Sequence, residues 1–430
     1  MKVRLTINPK LLFDIMLSQF KSVFKNRNFK LIWTSQILSQ LTINIMNFIL
    51  LIRLFEETGS AIAVSLLWVT YALPAILIGP IASATVDMID RRKMLIVTNF
   101  LQSMTILVFA LSHRVSSFLI YETVFIYSLL NQFYVPAEAA TLPSVLPKKH
   151  LTQGNSLFFI TMQAAVVVGY GIAGALKHFL GFDNTLFLGA IFLFLAFVSV
   201  YYLPSLKTEH HLIFDFEKGI TDFFGKISEG YLFIKSKKAI LMPFLLLLSF
   251  QTALAVVVVT IPVFASQILK INLNLAGVYV IVPAAIGAIL GAINLPKLIA
   301  KGWRKKKIIE SSLLSLFIIL TIFVFIIPNL NYYLRTIIGI LVIIAAGLSF
   351  IGVIIPSQTF LQETTPHGLQ GRVFGNFWFL TTAASVIPVV FSGTVIELFG
   401  VKFMVFIMAL ISLAVYLISS RYGDDWLRKV

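Results

Sequence analysis

The sequence predicts an all-α membrane protein with twelve transmembrane helices arranged as two six-helix halves. Three observations support this fold class: the composition, the number of long apolar runs and an internal repeat. The chain of 430 residues is 58% hydrophobic and 12% charged, with a mean hydropathy of +0.94. Soluble domains are roughly half apolar and about a quarter charged, so this composition favours a protein that crosses a membrane many times.

Twelve apolar runs are long enough to cross a bilayer, whose hydrocarbon core requires about 20 helical residues. They lie at about 30–54, 61–86, 94–113, 118–143, 154–176, 184–204, 240–267, 273–299, 308–328, 331–360, 372–397 and 402–420. A membrane β-barrel would instead show segments of roughly ten residues with alternating polarity. The run "FLLLLSFQTALAVVVVTIPVF" is apolar on every face, which predicts helices.

The two halves of the chain match each other at a nearly constant offset. Four pairs of residues are separated by 219 or 220 positions: Pro136 and Pro356, Pro147 and Pro366, Gly174 and Gly393, and Gly181 and Gly400. Two six-helix halves in the same orientation are the parallel-repeat plan of transporters, with the substrate site between them at the midplane. We expect the halves at 30–204 and 240–420, joined by a polar link at 205–239.

The basic residues predict the orientation in the membrane. Of 34 Lys and Arg, 28 fall in the N-terminal segment or on its side of the membrane, and six fall in the opposite turns. This excess marks the cytoplasmic side, so both termini, the link and a tail at 421–430 are expected there. The net charge of +16 is thereby explained by topology, and no nucleic-acid partner is expected.

The segment at 1–29 carries apolar residues at every fourth position, namely Leu12, Met16, Phe20 and Phe24. This spacing predicts an amphipathic helix lying in the headgroup plane. A frayed basic tail is the alternative. The first apolar run has full span length, so we expect it to remain in the mature protein instead of acting as a cleaved signal.

The stretch "GPIASATVDMIDRRK", residues 79–93, concentrates five charges between the second and third spans. It resembles the loop signature of the major facilitator superfamily, and "WTSQILSQL" with "TGSAIAVSLLWVTYALPAILIGP" is similar to its macrolide-efflux and enterobactin-export branch. The second half matches this branch mainly through "PSQTFLQETTPHGLQGRV". The resemblance implies the major facilitator fold, alternating access, and a gate in which Asp87 meets the eleventh span near Gly371 and Arg372.

Physical chemistry supports such a gate. Asp87 lies near the C-terminal end of the second span, where the helix dipole disfavours an anion, whereas a helix N-terminus attracts carboxylate. Gly79 allows close helix approach, while Arg91 and Arg92 hold the loop in the cytoplasm. The predicted gating motif is Gly79, Asp87, Arg91, Arg92 and Arg372. A pure topology signal is the alternative for the basic residues.

The first span carries the amides Gln36, Gln40, Asn44 and Asn47 on one helical face. Polar groups are costly in hydrocarbon, so this stripe predicts cavity lining, with interhelical hydrogen bonding as the alternative. Four further amides near the middle of spans complete the candidate cavity: Gln132, Gln163, Gln251 and Asn376. For each of these, helix packing is the competing interpretation.

A neutral cavity rich in aromatic residues suits a bulky amphipathic molecule, which favours efflux by secondary active transport. The run "GYGIAG", Gly169 to Gly174, resembles the glycine-rich antiporter signature. Acidic residues lie only towards span ends, and Glu138 is the best candidate for a proton carrier because partial burial perturbs such groups. An ion pair with Lys148 or Lys149 is the alternative for Glu138.

An enzyme is not expected, because the six histidines lack HExxH spacing and no phosphate-binding loop occurs. Cysteine is absent, which removes thiolate ligands and thiol nucleophiles. We therefore expect a monomeric transporter of the bacterial inner membrane, with a small-molecule substrate, protons as the coupling ion, and neither metal nor cofactor. An importer, a lipid transporter, or a receptor or assembly protein on the same fold stays open.

Overall fold

The structure is a computed structural model that describes residues 23–205, 238–366 and 370–427, with Phe20 and scattered residues between 221 and 235. Some side chains within these helices, including those of Asp87, Arg372 and Asn376, lie outside the described set. The helices are α1 (Arg27–Thr58), α2 (Ala61–Leu77), α3 (Gly79–Met88), α4 (Arg91–Ser112), α5 (Leu119–Val145), α6 (Leu151–Leu180), α7 (Phe182–Tyr201), α8 (Lys238–Val263), α9 (Val282–Ala300), α10 (Lys305–Phe325), α11 (Tyr332–Thr364), α12 (Gln370–Phe399) and α13 (Val401–Leu427).

These helices confirm the predicted fold class. Ten helical segments of the described chain are long and apolar enough to cross a membrane, and α5 with the α2–α3 pair completes the twelve spans. The second span was predicted as one helix but consists of two, which meet at Ile78. Pro80, at the start of α3, explains the break, since proline has no backbone N–H to donate to the preceding turn.

Several helices run past the predicted span ends. The first helix continues to Thr58 and is closed by Gly59, whose φ of 62° is a left-handed conformation that favours glycine. The last helix continues to Leu427, beyond the predicted end at 420. A helix satisfies its own backbone hydrogen bonds, so it continues through the headgroup region until a cap stops it.

The apolar core distinguishes the two ends of the bundle. We call the end where α1 begins and α13 finishes the termini side, and the opposite end the far side. On the far side, one buried cluster joins both halves, with Ile49 and Leu67 from the first and Val259 and Val389 from the second. On the termini side, the described residues form separate clusters, each within one half. Apolar packing between the halves is thus concentrated on the far side.

Glycines allow the halves to approach closely on the far side. A Cβ atom added to Gly174 of α6 would lie 1.8 Å from the carbonyl oxygen of Asn274, and one added to Gly393 of α12 would lie 2.4 Å from Ser65 Oγ. Gly277, in a wide helical turn before α9, packs against the carbonyl of Tyr170 in the same way. These positions accept no side chain without movement of the backbone.

The segments outside the spans are described only in part. Residues 1–19 and 206–220 lie outside the described residues, and with them most of the predicted amphipathic segment and much of the link. The described end of the N-terminal segment packs on α1: Val23 is buried, and the ring centroids of Phe24 and Trp33 lie 5.1 Å apart. Apolar contacts thus extend the termini-side core of the first half past the start of α1.

Candidate functional site

The amide stripe of α1 is divided between two environments. Gln36 is buried and its Nε2 donates to the carbonyl of Phe158 in α6 at 3.2 Å. Asn44 is also buried; its Nδ2 donates to the carbonyl of Gln40 at 2.7 Å, and its Cβ lies against Gly169. Both amides therefore lie at the α1–α6 contact, where small residues let helices approach.

The last member of the stripe lines a small pocket inside the first half. Asn47 shares this pocket with Tyr71, Thr123 and Tyr127, and apolar side chains form the rest of its wall. Gln40 is partly exposed on the same helix. Its free volume is about 10 Å³, room for about one water molecule, so the wall has the composition of a small-molecule site without the size.

Aromatic side chains surround this pocket and reach the other half. The rings of Trp68 and Tyr71 lie 6.1 Å apart, and those of Phe48 and Tyr170 lie 5.3 Å apart. The indole Nε1 of Trp68 donates to Ser385 Oγ of α12 at 3.3 Å, which links the two halves. The aromatic cluster of Phe48, Trp68, Tyr71 and Tyr170 therefore adjoins the boundary between the halves.

The other predicted amides are dispersed. Gln132 Nε2 donates to the carbonyl of Ser128 at 3.1 Å, and its Oε1 lies 3.7 Å from a Cβ built on Gly79. Gln163 is exposed on α6, and Gln251 is partly exposed on α8. Asn376 lies on α12, with its side chain outside the described set. Gln132 thus packs beside the break in the second span.

The basic residues of the predicted gate bind backbone carbonyls of their own half. Arg91 donates to the carbonyl of Ala140 and to Ser144 Oγ, both at 2.9 Å, near the C-terminal end of α5. Arg92 donates to the carbonyl of Tyr201 at 2.6 Å, at the end of α7, and its guanidinium lies 5.7 Å from that tyrosine's ring centre. Cations at helix C-termini are favoured by the helix dipole. These arginines therefore tie three spans together, a contact that the sequence did not reveal.

The acidic partner in the predicted gate lies outside the described side chains, as does Arg372. Asp87 is in the last turn of α3, and Arg372 is in the first turn of α12. The contact between them therefore stays a prediction.

Glu138 lies in α5 and is 6% exposed. Its Oε1 accepts a hydrogen bond of 2.7 Å from the hydroxyl of Tyr134, one helical turn earlier. The alternative ion pair is not formed: Lys148 and Lys149 are exposed, and the ion pairs of the described residues do not include Glu138. Glu138 is therefore a buried carboxyl group held by a neutral donor.

Sequence reasoning missed the polar groups around Glu138. Ser39 Oγ donates to Tyr134 Oη at 2.9 Å, and Asn99 Nδ2 donates to Ser35 Oγ at 3.1 Å. Serine and tyrosine are common in apolar helices and gave no signal. Asn99 and Gln102, three residues apart within an otherwise apolar span, could have been found by the periodicity used for α1.

Among the described residues, the far side carries one charged contact between the halves. The carboxylate of Glu397, near the end of α12, accepts from the hydroxyl of Ser60 and from the backbone N–H of Ile62 at 3.0 Å. Ser60 also caps α2 by accepting from the N–H of Ala63. Glu397 thus lies at the N-terminus of α2, where the helix dipole favours an anion.

Comparison with known proteins identifies the family. The family model of the Major Facilitator Superfamily matches residues 32–389. An MFS-type transporter of Bacillus subtilis (strain 168), YfiS, is 26% identical over 360 residues, which cover 82% of this chain and 83% of the relative. The multidrug efflux pump Tap of Mycolicibacterium fortuitum is 22% identical over an alignment that covers 80% of this chain and 83% of Tap. Macrolide efflux protein A of Streptococcus pyogenes is 30% identical over 30% of this chain and 34% of its own length.

Solved structures share the fold at low identity. A POT family transporter in complex with 5-aminolevulinic acid superimposes with a TM-score of 0.72 at 12% identity, covering 93% of this chain and 97% of that one. The nucleoside transporter NupG gives a TM-score of 0.70 at 13% identity, with coverage of 91% and 98%. The fold and the family match agree: this chain belongs to the Major Facilitator Superfamily and is a multi-pass membrane transporter.

Proposed function

We propose that the protein is a secondary active exporter of bulky amphipathic or lipophilic compounds, working by alternating access in the bacterial inner membrane. Both termini lie in the cytoplasm, which makes the termini side the inner face. The charge bias of the turns supports this orientation. The chain has no cysteine of its own, so single cysteines placed at the exposed Ser205 and Ser116 test the orientation by labelling from inside and outside respectively.

The aromatic cluster beside the Asn47 pocket is the observation that carries the substrate class. Trp68 and Tyr71 offer flat apolar faces at the boundary between the halves, and Asn47 adds an uncharged polar group. Apolar contact with a few orienting hydrogen bonds suits large amphipathic molecules and gives little selectivity for sugars or ions. We assign two further amides to the same cavity, namely Gln40, which is partly exposed, and Gln163, which is exposed.

The distribution of contacts between the halves supports alternating access. The far side is closed by the shared core, by the glycine contacts and by Glu397. On the termini side, separate cores let the halves move apart without breaking apolar packing. In the opposite state we expect Asp87 to reach the N-terminal end of α12, near Arg372, and close the termini side. Gly79, beside the break in the second span, gives α3 room for this movement.

Export and coupling by antiport rest on further observations. Two relatives are named as efflux proteins, one for macrolides and one for multiple drugs. Glu138 provides the proton site, because it is buried in the first half and hydrogen-bonded by a neutral group. A carboxyl group in such a place can gain and lose a proton as its access to water alternates.

Inside-out membrane vesicles test this function. Accumulation of ethidium, rhodamine 6G and erythromycin is measured with the membrane energised, with and without a protonophore, against vesicles holding Glu138→Gln at equal abundance. We expect the compounds to accumulate inside the vesicles, and we expect both the protonophore and Glu138→Gln to abolish this accumulation. Movement of a compound out of the vesicles would indicate an importer, and binding without accumulation would indicate a receptor. Either result rejects the proposal.

A further inference from the structure

Buried polar side chains gather in the interior of the first half. They come from three helices: Ser35 and Ser39 from α1, Asn99 and Gln102 from α4, and Tyr134 and Glu138 from α5. Each is at most 6% exposed. Buried polar groups are normally retained only where hydrogen bonds satisfy them. We call these six residues the polar column.

Hydroxyl groups connect one end of the polar column. Ser39 Oγ lies 2.9 Å from both Tyr134 Oη and the carbonyl of Ser35, either of which can accept its proton, and Tyr134 Oη donates to Glu138 Oε1 at 2.7 Å. A hydroxyl group both donates and accepts, so each member can receive a proton on its oxygen while releasing its own. The result is an unbroken path that ends on a carboxyl group.

Three amide atoms at the other end of the polar column lack a hydrogen-bond partner among the described residues. Among the described residues, Asn99 Oδ1 and both polar atoms of the Gln102 amide have no hydrogen-bond partner, although these residues are 0% and 1% exposed. Leaving such groups unsatisfied is costly, and internal water is the usual remedy where the site is polar. The amides therefore point to bound water.

The positions of the helices place these two ends together. The first and third spans run in the same direction, and Asn99 bonds to Ser35. One turn further along, Gln102 of α4 is level with Ser39 of α1, and Ser39 bonds to Tyr134. Water held by the amides is thus at the same depth as the start of the hydroxyl chain.

Among the described side chains next to Glu138 in the polar column, none carries a fixed charge. The described groups of α1 that face α5 here are Ser35 and Ser39, and on α5 itself the titratable neighbour is Tyr134. On α4, Arg91 directs its guanidinium to Ala140 and Ser144, closer to the end of α5. Asp87 of α3 lies outside the described side chains.

We propose that the polar column binds internal water and is a proton-transfer path that loads Glu138, with Tyr134 as the relay that donates directly to its carboxyl group. Water held at Asn99 and Gln102 receives a proton from bulk water and passes one of its own to Ser39, which in turn passes its own proton to Tyr134. The tyrosine proton then passes to Glu138 Oε1, and only O–H bonds form and break. The inference deepens the proposed proton coupling and rests on it for its role in transport.

Infrared difference spectroscopy of the full-length protein in lipid nanodiscs tests the proton site without any substrate. We expect a carboxylic-acid carbonyl band that titrates with pH, disappears in Glu138→Gln and persists in Glu122→Gln, a control on the exposed far-side end of the same helix. In Tyr134→Phe the band should move in frequency, because its hydrogen bond is lost. Tyr121→Phe, whose hydroxyl donates to the carbonyl of Ala63 at 2.9 Å, should leave it unmoved. A band unaffected by Glu138→Gln or by Tyr134→Phe overturns the proposal.

Thermal unfolding of Asn99→Leu and Gln102→Leu tests the bound water. If the amide has no partner, its replacement by leucine should raise the Tm of the protein, because an unsatisfied polar group is removed. If the amide is bonded to internal water, the same replacement should lower the Tm, because those hydrogen bonds are lost. We expect a loss of Tm together with slower deuterium exchange of the Glu138 carboxyl group. A rise in Tm rejects the path.

Both measurements omit transport, so an intact path in a protein that fails the vesicle assay would reject the proposed exporter and leave this inference standing.

Discussion

Gly174 of α6 and Gly393 of α12 occupy equivalent positions in the two halves, and each packs tightly against the opposite half on the far side. A Cβ atom on Gly174 would lie 1.8 Å from Asn274 O, and one on Gly393 would lie 2.4 Å from Ser65 Oγ and 2.9 Å from Ala61 O. Both glycines therefore let the halves approach closely on the far side, one against a backbone carbonyl and the other against a helix of the first half.

Substitution of either glycine by alanine should therefore favour opening of the far side. Overpacking costs about 1–3 kcal/mol, and separating the halves relieves it. Gly287→Ala is the matched control, since its Cβ would lie 1.9 Å from Ile344 O within one half. We expect the control to lower Tm without exposing a single cysteine placed at Leu67, and Gly174→Ala and Gly393→Ala to make that cysteine reactive. Equal reactivity in all three variants would contradict this account.

Glu397→Gln should weaken the same closure by a smaller amount. A carboxylate at a helix N-terminus stabilises by about 0.3–1 kcal/mol, and the amide keeps the shape while removing the charge. The measurement is again the reactivity of a cysteine at Leu67, compared with Glu57→Gln, which removes a charge paired with Arg53 inside the first half. A response to Glu57→Gln as large as that to Glu397→Gln would show that the contact across the halves has no special role.

Gln36→Leu and Asn47→Leu should separate helix packing from substrate contact. Gln36 bonds across helices to Phe158, so its loss should lower the free energy of unfolding by about 0.6 kcal/mol and leave substrate preference unchanged. Asn47 lines the pocket beside Tyr71, so its loss should change the relative export of several compounds. Detergent-solubilised melting is measured alongside export of each compound. If Gln36→Leu changed the substrate preference and Asn47→Leu lowered only the stability, the pocket would be excluded from the substrate site.

Asp87→Asn should impair transport severely while insertion and abundance stay near normal. The predicted contact with the start of α12 forms only when the termini side is closed, so it shifts a conformational equilibrium without contributing to the fold. Transport per copy of protein is compared with that of Asp90→Asn, whose parent residue caps α4 through the N–H of Arg92 at 2.9 Å. Transport by Asp87→Asn equal to the parent would remove the gate.

The twelve spans and the repeat could be predicted because both depend on local properties: apolar length and matching residues. Gly174 and Gly393 were paired from the sequence alone, but their contacts with Asn274 and Ser65 depend on how the halves pack. The roles of Arg91 and Arg92 were missed for a related reason, since the carbonyls they bind come from helix ends distant in sequence. The amide stripe predicted one surface, but its members have different neighbours, and Asn44 packs against Gly169 of α6.

Distances between spin labels test alternating access most directly. One label pair, at Ser116 and Tyr333, reports the far side, and a second pair, at Lys149 and Lys301, reports the termini side; all four residues are exposed. On adding an exported compound and changing the pH, we predict that a population appears in which the far-side distance is longer and the termini-side distance is shorter. Distances that stay fixed, or that change in the same direction on both sides, would contradict the account.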